Sequence, residues 1–166
     1  MKPYDTSRYF PSNFDQYLCL KPPMLLMIAL LFLSRALALP LFLWILQLTG
    51  GPVDDASMMK GFWSATALPA AVPAFAIVVA FVRRVPSASL LLRWVWTHGR
   101  ALLAASAILD LTANAYVMVS REALEGPSVM LGLMAGGLDL VFLAYVLSSR
   151  RVRDVFSDFP PALASI

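Results

Sequence analysis

Arg35, Asp110 and Asp139 are the residues of this chain whose types and setting point to chemistry, because each stands near the middle of its own long apolar run. An ionised group in hydrocarbon is costly and persists there only when it is paired or at work. One cation and two anions at matched depth have two uses. They form an ion pair that fixes how helices meet, or they share and hand on a proton, because two carboxyls beside one guanidinium are in excess of charge when both ionise. Asn114 stands four residues after Asp110 and extends the same helical face by one turn.

Depth is read from spacing. Arg35 lies 11 residues beyond Met24, Asp110 lies 9 beyond Ala101, and Asp139 lies 8 before Leu147. At a rise of about 1.5 Å per residue, all three fall roughly 12 to 17 Å from the same-side ends of their helices. They share one layer. Gly132, Gly136 and Asp139 follow at i, i+4 and i+7, and a Gly-x-x-x-Gly surface lets a neighbouring backbone approach closely. The expected site is therefore a buried cluster of Arg35, Asp110, Asp139 and Asn114, with Gly132 and Gly136 as the packing surface beside it. Ser34, Ser106 and Thr112 are the further polar side chains nearby.

The elements that carry this layer follow from composition. Of 166 residues, 60% are hydrophobic and 14% charged, and the mean hydropathy is +0.74. That balance belongs to a lipid bilayer rather than to an ordinary water-soluble domain. A spanning helix needs about 20 apolar residues, and four segments qualify: residues 23–48, 62–82, 101–119 and 129–147. The fold class is all-α, a polytopic four-helix membrane protein in one domain over residues 1–166, with an arm at 1–22 and a tail at 148–166. The first run exceeds a signal-peptide core and carries Arg35, so it reads as a retained span. Pro69 and Pro73, one turn apart in the second run, are expected to bend it.

Orientation comes from lysine and arginine, which are held on the cytoplasmic side during insertion. Lys2, Arg8, Lys21, Arg83, Arg84, Arg93, Arg100, Arg150, Arg151 and Arg153 fall on one side, and Lys60 and Arg121 on the other. Both termini are thus expected in the cytoplasm. The net charge of +3 and pI near 9.3 are topology signals, and no aromatic and basic array of the kind that reads nucleic acid is present. Residues 49–60 and 120–128 are short, acidic, turn-rich outer loops.

Between spans two and three, Arg93, Trp94, Trp96 and Arg100 stand among leucines. That pattern suits an interfacial helix with rings at headgroup depth; the plainer reading is a connector into the third span. The arm carries Tyr4, Tyr9, Phe10, Phe14 and Tyr17 with Pro3 and Pro11, and lies on the membrane or packs under the bundle.

Enzyme signatures are missing. Cys19 is the one cysteine and His98 the one histidine, which leaves no disulfide, Cys-x-x-Cys pair, bis-histidine haem or multi-ligand zinc site within the chain. No serine has an apparent partner base, and the acid-rich pattern of a metal-dependent phosphoalcohol transferase is absent. No metal and no cofactor are expected.

Leu20-Lys21-Pro22 before the first span, Leu31-Phe32-Leu33-Ser34-Arg35-Ala36 within it, Gly99-Arg100 at the third, and Ser149-Arg150-Arg151-Val152-Arg153-Asp154-Val155-Phe156 after the fourth resemble the YfeZ-like family of bacterial inner-membrane proteins. The resemblance covers nearly the whole chain. It implies a four-span inner-membrane protein of a domain-of-unknown-function family and supplies no catalytic residues. The expected function is a non-enzymatic accessory or assembly subunit whose partners are the bilayer and another membrane protein or a second copy. The alternative is a small oligomeric proton-linked transporter working through the Arg35, Asp110, Asp139 cluster.

Overall fold

The computed structural model describes residues 6–49, 68–120 and 127–161. Residues 62–67 of the second expected span, most of both outer loops, Lys60 and Arg121 lie outside the described residues. Among those described, the chain is all-α. Seven α-helices follow two short 3-10 turns, and an isolated antiparallel bridge joins Phe14 to Leu20 in the arm.

The first apolar run is two helices rather than one. α1 covers Met24–Leu33 and α2 covers Arg35–Leu48, and their axes are bent by 76° across Ser34. Hydropathy is continuous through this point, and the polar side chains there turn back onto the backbone of α1. At the break the Ser34 hydroxyl donates to Leu31 O at 3.2 Å, and Arg35 Nη1 donates to Phe32 O at 2.9 Å. A cation at the C-terminal end of α1 also complements that helix's dipole. The charged residue of the first run thus sits at a corner.

α3 covers Leu68–Val82 and presents a small-residue face, with Ala70, Ala71, Ala74, Ile77 and Ala80 buried. This permits close approach of α5, Gly99–Ser120. Pro73 lies within α3, and just upstream the Ser106 hydroxyl of α5 donates to Ala70 O. A neighbour's hydroxyl thereby satisfies backbone loosened by the proline. α6 covers Pro127–Ser148 and runs antiparallel to α5, as the pairings of Arg100 with Val146, Leu111 with Gly136, and Met118 with Gly132 require.

Beyond α6 the chain turns by 69° into α7, Arg150–Ser157. Ser149 caps α7 by accepting from Val152 N. Val152, Val155 and Phe156 are its buried face, so the basic tail is an amphipathic helix folded back on the bundle. α4, Leu90–Thr97, meets it from the other side, capped by Ser89. The arm closes the same end: Asp15 Oδ1 accepts from the N–H groups of Tyr17 and Cys19, both at 2.9 Å, and Cys19 and Leu20 are buried.

The packing of this end cap is tight enough to predict from. Gly99 lies directly beneath the Phe156 ring, where a Cβ would overlap the ring edge. Gly99→Ala is expected to displace Phe156 and lower stability by about 1–3 kcal/mol. Gly132→Ala, whose Cβ would meet only the flexible end of Met118 at 2.6 Å, should melt close to wild type in detergent. Equal loss from the two changes would contradict this packing.

No single helix among the described residues is long and apolar enough to cross a membrane alone, whereas the bent pairs α1 with α2 and α6 with α7 pass that test together. Phe42, Trp44, Val72, Tyr116, Leu133 and Val141 are exposed, while Ser34, Ser106, Asp110 and Asp139 are buried. The interior is a hydrophobic core that also encloses these polar groups, and large apolar side chains lie open on the outside.

Candidate functional site

Arg35, Asp110, Asp139 and Asn114 meet where the start of α2 abuts α5 and α6. Arg35 Nη2 stands 2.7 Å from Asp110 Oδ2, a close ion pair rather than an aligned hydrogen bond. The same guanidinium lies 4.1 Å over the Phe32 ring, which tilts against Phe142 at 5.4 Å. Arg35 is thereby held by a carboxylate, a carbonyl and an aromatic face at once. Asn114 Nδ2 donates to Asp139 Oδ2 at 3.3 Å. Asp139 is 1% exposed, and its Oδ1 has no donor among the described residues.

The nearby hydroxyls do not lengthen this into a chain of polar groups. Ser34 donates to Leu31 O, Thr112 to Leu109 O at 2.8 Å, and Ser106 to Ala70 O. Each is taken up by backbone. Gly132 and Gly136 of α6 face Met118 and Leu111 of α5, so the glycine surface sets the approach of the two helices that carry Asp110 and Asp139.

The residues expected at a membrane interface are placed differently. Trp96 is fully buried, so its assignment to a headgroup layer is corrected: the indole N–H donates to Val155 O and Asp158 O, both at 3.0 Å. Its ring packs on Phe156 at 5.1 Å and Phe81 at 6.2 Å. The buried side of α4 packs on α3 and α7, while Leu90 and Leu91 are exposed. Arg93 donates to Pro160 O at 2.7 Å and Pro86 O at 2.6 Å, with its guanidinium over Phe159. Arg100 donates to Val146 O at 3.0 Å and to Leu147 O, capping the last turn of α6. Trp94 alone of the four is open, 54% exposed and stacked on His98 at 4.6 Å.

Arg84 and Asp158 escape a reading of the sequence, and both are buried. Arg84 donates to Leu20 O at 3.0 Å and Asp158 O at 2.6 Å, and lies 4.7 Å over the Trp96 ring. Asp158 Oδ2 accepts from Leu20 N at 2.8 Å. Arm, loop and tail are joined through these two side chains. Tyr9 adds a second tie, its hydroxyl donating to Asp154 Oδ2 at 2.7 Å. Burial, and then this bond, push the Tyr9 phenol up to about 12, so it remains a donor at neutral pH.

The tied segments coincide with the ends of a family match. A model of the family described as protein of unknown function (DUF2919) matches residues 9–158, opening on Tyr9 and closing on Asp158. The chain belongs to the DUF2919 family. The expectation of a domain-of-unknown-function family is met at that level. No curated protein and no solved structure matches the chain. The matched span includes the charged layer and the cap up to Asp158, with Phe159 and Pro160 just beyond it.

Proposed function

We propose that this chain is a bacterial inner-membrane protein with four spans and cytoplasmic termini, acting without catalysis as an accessory or assembly subunit for another membrane protein. The observation that carries this is an apolar exterior over a bundle whose core encloses an ion pair and its hydrogen-bonded neighbours. The 22 residues of α5 extend about 33 Å, enough for a hydrocarbon core of about 30 Å. Its polarity comes from the layer it carries. The resemblance to YfeZ-like inner-membrane proteins and the excess of arginine and lysine at the capped end agree with that placement.

An enclosed layer whose neighbouring hydroxyls serve the backbone makes a poor conduit and a good register lock. The second reading, a proton-linked transporter, is favoured by one feature, the buried Asp139 Oδ1 that has no donor among the described residues. Purification from native membranes in mild detergent separates the two. A stoichiometric membrane-protein partner is expected; a homodimer whose ligand response depends on protonation would overturn the accessory reading.

Topology has its own test. Reporter fusions after Ile166 are expected to report cytoplasm, and fusions at Pro52 or Gly126 the outer side. A cytoplasmic signal at either of the latter two would contradict four spans.

A further inference from the structure

We propose that the cleft between the N-terminal arm and the cytoplasmic ends of α1 and α3 seats one anionic phospholipid, a site that rests on the membrane reading above. The cleft has a volume of about 560 Å³, within the range of sites built for small ligands. That room suits a glycerophosphate headgroup and the first carbons of a chain. Its lining is of two kinds: Phe14, Met27 and Phe81 are apolar, and Asp15, Gln16, Tyr17, Lys21 and Arg84 are polar or charged.

The charges favour an anion. Lys21 is exposed, donates to Ser12 O at 3.2 Å, and has no carboxylate partner among the described residues. Arg84 stands 3.9 Å from Asp15, whose Oδ1 already accepts two backbone N–H groups. Arg84 has Asp15 and Asp158 beside it, so Lys21 is the cation of the cleft that no carboxylate offsets among the described residues.

The apolar side says what the anion is attached to. Met24, Met27 and Leu31 lie at i, i+3 and i+7 on α1 and are exposed, so one stripe leads from the cleft along the outside of the bundle. A free phosphate ester would use only the polar half. A lipid uses both, its headgroup against Lys21 and an acyl chain on the stripe.

Delipidated protein in mild detergent, titrated with phosphatidylglycerol, phosphatidylcholine or glycerol phosphate and read by native mass spectrometry, tests this. One phosphatidylglycerol adduct is expected, with roughly tenfold lower occupancy by phosphatidylcholine and no glycerol phosphate adduct. Lys21→Glu should reduce phosphatidylglycerol occupancy roughly tenfold and Lys21→Gln by less, while Arg83→Gln, an exposed cation outside the cleft, should leave it unchanged. Equal binding of the two lipids, binding of glycerol phosphate as strong as that of lipid, or wild-type occupancy in both folded Lys21 variants would overturn the proposal. Carbonate extraction of membranes reads the membrane claim separately. A chain that carbonate releases sinks that claim, whereas one that stays embedded yet shows no lipid preference sinks the lipid site alone.

Discussion

Arg35→Leu is expected to be the most damaging single change in the bundle, lowering stability by about 3–5 kcal/mol as removal of one partner of a buried ion pair does. The loss has three parts. Asp110 is left without the guanidinium now 2.7 Å away, Phe32 O loses its donor at the corner between α1 and α2, and the Phe32 ring loses the cation above it. With the cation gone, two buried carboxyls are left with no opposite charge beside them. Asp110→Asn or Asp139→Asn should each cost less, because the remaining carboxyl still neutralises Arg35. Abundance in membranes and melting in detergent measure the order. Wild-type behaviour of Arg35→Leu, with both aspartates in place, would remove the charged layer from the account.

Trp96→Ala is the second large effect expected, about 3–5 kcal/mol by analogy with other buried aromatic truncations. The ring contacts Phe81, Phe156 and Phe159 and lies under Arg84. Its removal also takes away a donor shared by two carbonyls at the end of α7. α7 and the tail should detach, so that limited proteolysis cuts near residues 149–161 in the variant and not in wild type. Trp94→Ala, at an exposed position, should change stability by less than about 0.5 kcal/mol. A larger loss from Trp94 than from Trp96 would restore the interfacial reading of this helix.

These two sites differ in how far the sequence reveals them. A charge in an apolar run is conspicuous, and helical rise converts its position into depth, so Arg35, Asp110, Asp139 and Asn114 are legible as one layer before any coordinates. The all-α class follows from the same runs. The corner at Ser34 is not legible from hydropathy, which runs unbroken through it. Nor does composition tell whether the apolar side of an amphipathic helix meets lipid or protein. Trp96 finds its partners at Val155, Phe156 and Asp158, about sixty residues away in the chain, and no local pattern announces that pairing. Arg83 and Arg84 are adjacent and alike in sequence, yet only Arg84 is buried. The difference arises when the arm and tail bring Leu20 O and Asp158 O to it.

The central claim is that the charged layer locks the bundle rather than working as a relay. It is tested most directly by the melting temperature of the triple variant Arg35→Leu, Asp110→Asn, Asp139→Asn beside that of Arg35→Leu alone. Neutralising all three groups removes the uncompensated charges left by the single change, and asparagine retains polar atoms that can hydrogen-bond Asn114. The triple variant is expected to melt close to wild type, well above Arg35→Leu, and still to co-purify with the wild-type partner. A triple variant no more stable than Arg35→Leu, or one that folds fully and loses its partner, would contradict it.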